Sequence, residues 1–230
     1  LYHWRRSPAS SALSGNVKGD MDRKQVEAVQ AHLQRLHDPR RAESAGGHRV
    51  RLRPAAALDD RSPKVFRQSY AAGEHPLAVL SQACETSECD VIVLISDQVE
   101  SVSTEATVEL ASLASLPDSG LVAPILVSPQ HAVLEAGCTR NGSRIEPIMR
   151  GFDDSGDGFN GSLRCNREVS AVSPWCIAIR RSLALEVIGS AQTWSEFCAA
   201  VEKRGCFNRV CAGVRVTLPF RWQEYPTSGS

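Results

Sequence analysis

Asp90 to Ile95 reads DVIVLI, five apolar residues in succession, most of them β-branched, that stop abruptly at Ser96-Asp97-Gln98. A run without polar alternation suits a strand buried on both faces, and such a strand needs a parallel or mixed sheet with helices packed around it. Its short acidic tip marks a candidate ligand position, because open α/β sheets bind at the carboxyl ends of their strands. The surrounding sequence must therefore supply both further strands and the helices that cover them.

Apolar periodicity supplies both. Val26, Val29, Leu33 and Leu36 recur at helical spacing and predict an amphipathic helix over residues 17–36, with Asp20 and Asp22 near its start, Arg35 and His37 near its end, and Pro39 as its stop. HRVRLR at 48–53 and the stretch around Val65 and Phe66 predict short strands, and a helix is expected from Pro76 to Cys84. Residues 104–116 read as a helix capped by Ser103. LVAPILV at 121–127 is a second apolar run, in which Pro124 predicts an edge strand or a bulge. A glycine-rich excursion fills 138–168, strand character returns over 170–179, and helices follow at 181–188 and 193–204, the latter closed by Gly205. One or two short strands are expected over 207–217, and the tail after Phe220 is expected to be loose. Strands alternating with helices give an α/β fold.

Composition narrows the function classes. Hydrophobic residues make up 42%, enough for a real core. Lys plus Arg equals Asp plus Glu at 26 each, so no electrostatic case exists for nucleic acid or an anionic membrane. No apolar run reaches the roughly 20 residues that span a bilayer. The opening LYHWRR lacks the apolar core of a signal peptide, so a cytoplasmic protein is expected; the missing initiator Met leaves open a fragment of a longer chain. Eight cysteines occur without a CxxC pair and without histidines at finger-like spacing. They read as free thiols serving as small apolar residues, with a zinc site as the competing reading. The two Asn-Gly-Ser sequences, at Asn141 and Asn160, read as turns. Asp153, Asp154 and Asp157 do not fit the spacing of an EF-hand calcium loop.

Several segments in order resemble bacterial glycosyltransferase family 2 enzymes of surface-polysaccharide synthesis. The segments are the opening YHWR before an amphipathic helix, DVIVLISDQVE at 90–100, residues 120–127 followed by VLEAG at 133–137, SAVSPWCIAIRRSLALEVIG at 170–189, and the helix at 194–205. The resemblance spans residues 1–217 and implies a GT-A fold, here an incomplete mixed sheet flanked by helices with an N-terminal helical appendage. It divides the chain into a linker and helix over 1–53, a glycosyltransferase-like domain over 64–220, and a tail over 221–230. It also implies a nucleotide-diphosphate sugar donor, a glycan acceptor and a divalent cation, Mn or Mg, that neutralises the diphosphate leaving group.

Carried onto these residues, the resemblance places Asp97 near the ribose and metal, and Gln98 where the metal-ligating carboxylate belongs. An amide oxygen is a poorer ligand for a hard cation. Glu196 becomes the remaining candidate for the catalytic base, because Trp194 occupies the family's base position. Arg180 and Arg181 become candidate diphosphate contacts, since guanidinium forks suit phosphate. Trp175 and Trp194 are expected in the core or in an acceptor groove. The histidine of the family falls near Thr217 and Leu218. Between residues 50 and 64 the chain has only a short Ala/Asp/Arg stretch where the family has its first β-α-β unit. Such a sheet has an exposed edge, or a protein partner completes it. Two readings follow: a sugar transferase with degenerate motifs, or a non-catalytic remnant that serves as a binding or interaction module.

Overall fold

The computed structural model describes residues 15–35, 41–46, 49–53 and 63–226. Residues 1–14 and 54–62, which carry the expected linker and the stretch standing in for the first β-α-β unit, lie outside the described residues, as do Leu36, His37 and Pro39. The chain divides into two compact units, Leu1–Ala55 and Ala56–Ser230. No described helix is long and apolar enough to cross a membrane.

In the first unit, helix α1 (Gly15–Arg35) is followed by an antiparallel pair, β1 (Arg41–Gly46) and β2 (Arg49–Arg53). Val26 and Val29 are half-buried and Leu33 is buried, so the apolar stripe turns inward. The Gln30 side-chain oxygen accepts a hydrogen bond from the Ala42 amide, tying α1 to β1. α1 starts at Gly15, two residues before the expected start.

The second unit is an α/β structure built on a mixed seven-stranded sheet. Its strands are β3 (Val65–Tyr70), β4 (Val91–Ser96), β5 (Ser119–Val127), β6 (Val133–Glu135), β9 (Arg167–Glu168), β10 (Cys176–Arg180) and β11 (Phe207–Thr217), while β7 (Cys138–Asn141) and β8 (Arg144–Pro147) form a separate hairpin. The order across the sheet is β3-β4-β10-β5-β11-β9, with β6 paired to β5. β3 runs parallel to β4 and β11 parallel to β5, whereas β10 is antiparallel to both of its neighbours. Among the described residues β3 is an edge strand, paired with β4 alone.

Side-chain alternation along β4 divides the core in two. Ile92 and Leu94 pack with α2 (Pro76–Thr86), α4 (Arg181–Val187) and α5 (Trp194–Lys203) on one face. Val91, Val93 and Ile95 pack with α3 (Thr104–Ala114) on the other. All of β4 and β5 is buried, as the unbroken apolar run at 91–95 requires.

Local chemistry sets the ends of the helices. Pro76 opens α2, where its missing N–H costs nothing. The Ser103 hydroxyl accepts from the Ala106 amide at the start of α3. Thr193 and Glu196 form a reciprocal capping box on α5, and Gly205, at φ +75°, follows its end.

Two expectations change, and a third is met by one of its alternatives. Pro124 lies in a central strand, so the bulge and not the edge accommodates it. The ladder tolerates its missing donor because β11 bulges opposite, where Pro124 pairs with Cys211 and Ile125 with Arg215. Residues 170–175 run as a connection, and the strand begins only at Cys176. The segment after Phe220 is not loose as far as Pro226: Arg150 donates to the Trp222 and Gln223 carbonyls, and Tyr225 is buried. Within the 138–168 excursion, Asn141-Gly142-Ser143-Arg144 closes the β7–β8 hairpin, with Gly142 at φ +59°.

Candidate functional site

β3 and β4 end side by side, with Tyr70 paired to Ser96. Beyond this end opens a cavity of about 380 Å³ whose wall includes Tyr70, Ser96, Glu135, Ser173, Trp175 and Tyr225. They come from five pieces of chain, Ser173 and Trp175 sharing one. Tyr70 and Ser96 are strand ends, and Trp175 immediately precedes β10. Glu135 closes β6, and the chain then turns at Gly137, whose φ is +78° and whose missing Cβ leaves room for Val169 and Val210. Tyr225 arrives on the C-terminal segment, held by an aromatic chain in which the Trp175 and Phe220 rings lie 5.6 Å apart and the Phe220 and Tyr225 rings 6.0 Å apart.

Glu135 is the chemical focus. It is only 1% exposed. Its Oε1 accepts from the Ser173 amide at 3.0 Å and the Ser173 hydroxyl at 2.9 Å, and its Oε2 accepts from the Tyr225 hydroxyl at 2.9 Å. Every one of these donors is neutral. Burial, reinforced by the Glu135 charge, drives the Cys138 thiol far above its ordinary range, so that it stays protonated. Burial likewise raises Tyr70 and Tyr225 well above the usual phenol value, and the Tyr70 hydroxyl donates to the Pro174 carbonyl.

Asp97 sits just outside this cavity and is exposed. Its Oδ1 accepts from the Ala72 amide at 3.0 Å and from the Gln98 side-chain amide at 3.3 Å, while its own amide donates to the Tyr70 carbonyl. The carboxylate thus pins the turn after β3 to the tip of β4. Gln98 is half-buried and oriented by Asp97. Among the described residues no group of three or more His, Cys, Asp or Glu side chains could hold a metal ion. One carboxylate and one amide do not fit a hard divalent cation, which requires a cluster of oxygen ligands.

Of the other residues implicated by the resemblance, Glu196 belongs to a helix cap, and Arg180 and Arg181 lie at the opposite end of β4. Glu196 is exposed, and its Oε2 accepts from the Gln192 and Thr193 amides as part of the capping box. Arg180 pairs with Val91, six residues before Asp97, which puts Arg180 at the far end of β4, roughly 20 Å of strand from Asp97. Its guanidinium donates to the Leu116, Pro117 and Ser119 carbonyls. Arg181 donates from Nε to the Cys84 carbonyl. These arginines therefore cannot share a diphosphate with Asp97.

Of the two tryptophans singled out, Trp175 lines the cavity. Trp194 is buried, with its indole N–H donated to the Val172 carbonyl. Sequence reasoning missed Glu135, Ser173 and Tyr225 as site residues. Glu135 did carry one signal: it is a carboxylate inside the apolar, glycine-ended stretch VLEAG. No protein-family model matches the chain, and no curated protein matches it.

Proposed function

We propose that this chain is a glycosyltransferase family 2-like domain of GT-A type that works as a non-catalytic binding module, holding a hydroxylated ligand of about monosaccharide size. The cavity at the carboxyl ends of β3 and β4 carries this reading. Its volume of about 380 Å³ suits a small ligand, it occupies the usual ligand position of an α/β sheet, and aromatic walls enclose a few convergent polar groups. The order of the matching segments supports the kinship, as does a mixed sheet with helices on both faces.

The side chains that transfer chemistry would need are otherwise engaged. Glu196 is committed to its helix cap, Asp97 to a strand-end turn, and Arg180 to carbonyls at the opposite end of the sheet. A base needs a free carboxylate within reach of the acceptor hydroxyl, and a leaving diphosphate needs positive charge beside it.

Titrating UDP- and GDP-sugars by calorimetry, with and without manganese, tests the proposal. Manganese is expected to leave binding unchanged. Tighter binding in its presence would restore the transferase reading, with Asp97 and Glu196 as working residues. A parallel titration with free monosaccharides is expected to show binding that Trp175→Ala weakens.

A further inference from the structure

We infer that the ligand of this cavity carries an ammonium group, as an amino sugar does, and that Glu135 selects it; the inference rests on the cavity being the binding site. A carboxylate that is 1% exposed needs compensation, because burying a charge is costly unless it is paired. Glu135 receives hydrogen bonds from Ser173 and Tyr225 but forms no ion pair among the described residues. The Glu135 carboxylate thus lines the cavity with no counter-ion among the described residues.

The rest of the lining has the same preference. Glu74 lies at the rim, and no Lys or Arg is among the described lining residues. His75 stands at the exposed rim and forms no ion pair with Glu135. Tyr70, Trp175 and Tyr225 supply aromatic rings, whose faces attract cations. Both phenols are held neutral by burial, so they add no second anion. A diphosphate entering here would meet two carboxylates and no fixed cation, and a neutral sugar would leave the Glu135 charge unbalanced. An ammonium group on a hydroxylated ring satisfies the charge, the rings and the remaining polar wall together.

Calorimetry of the full chain with glucosamine, N-acetylglucosamine and glucose tests this, because acetylation removes the charge while keeping the ring. Glucosamine is expected to bind roughly tenfold or more tightly than the other two, the scale of one charge-assisted hydrogen bond. Glu135→Gln is expected to abolish that preference. The amide is compatible with the site, since its carbonyl can keep both Ser173 bonds and its NH₂ can donate to the Tyr225 oxygen.

Equal binding of the three sugars, or a preference that survives Glu135→Gln, overturns the ammonium assignment and leaves the binding-module reading intact. Binding of none of the three removes both. Should thermal unfolding show that Glu135→Gln does not fold, Tyr225→Phe decides. Stripping one neutral donor from the carboxylate increases its demand for a cation, so the preference for glucosamine should grow; an unchanged or smaller preference overturns the inference.

Discussion

Glu196 and Glu135 occupy opposite electrostatic situations within one unit. Glu196 is exposed and spends its carboxylate on two amides at the start of α5, where the helix dipole also favours negative charge. Its loss should register as lost stability. Thr193→Ala, which removes the other half of the capping box, is expected to cost about 1 kcal/mol in urea unfolding. Asp97→Asn is expected to change stability by only about 0.5 kcal/mol, because the amide oxygen can still accept from Ala72. Glu135 could not be singled out in the sequence for a simple reason: its partners lie 38 and 90 residues away. An acidic residue in VLEAG becomes a buried anion only when the C-terminal segment closes over it.

At the scale of elements, β4 was the most legible part of the chain, because burial on both faces leaves an unbroken apolar signature. Leu94 is fully buried against α2, α4 and α5, so Leu94→Ala is expected to destabilise by about 2–5 kcal/mol, read from the denaturation midpoint at unchanged m-value. β5 was legible as a strand, but its place in the sheet was not. Pro124 argued for an edge or a bulge, and the bulge in β11 that makes a central position tolerable is encoded some 90 residues later. Asn208 is another such tie. Its side-chain oxygen accepts from the Leu121 amide, and its amide group donates to the Ser170 and Cys198 carbonyls. Asn208→Ala would leave all three without their partner, and a loss of about 1–3 kcal/mol is expected by urea titration.

Across the second unit, the buried thiols make stability depend on alkaline pH. Burial pushes Cys84 from its ordinary value of 9.0 up to about 11, and Cys176, Cys198 and Cys211 up to about 12. The unfolded chain releases these protons at lower pH than the folded protein, so ionisation favours unfolding. The protonated-thiol contribution is complete below 9.0 and is lost as pH climbs through about 11 to about 12. Urea midpoints should therefore hold steady up to the ordinary thiol value and fall beyond it. Thiol labelling of the folded protein should begin at Cys89 and Cys165, the two cysteines that are only partly buried.

The sequence by itself determined what depends on neighbours along the chain: the doubly buried strand at 91–95, the helical stripes, the cap at Ser103, and the turns at glycine. Each is decided within a few residues by periodicity, backbone hydrogen bonding or permitted φ. Only the tertiary structure decided which strands adjoin, where Pro124 is tolerated, that Arg180 and Asp97 stand at opposite ends of the sheet, and that Tyr70, Glu135, Ser173, Trp175 and Tyr225 share one cavity. Those outcomes come from burial and hydrogen bonding between segments far apart in the chain, and no local pattern records such pairings.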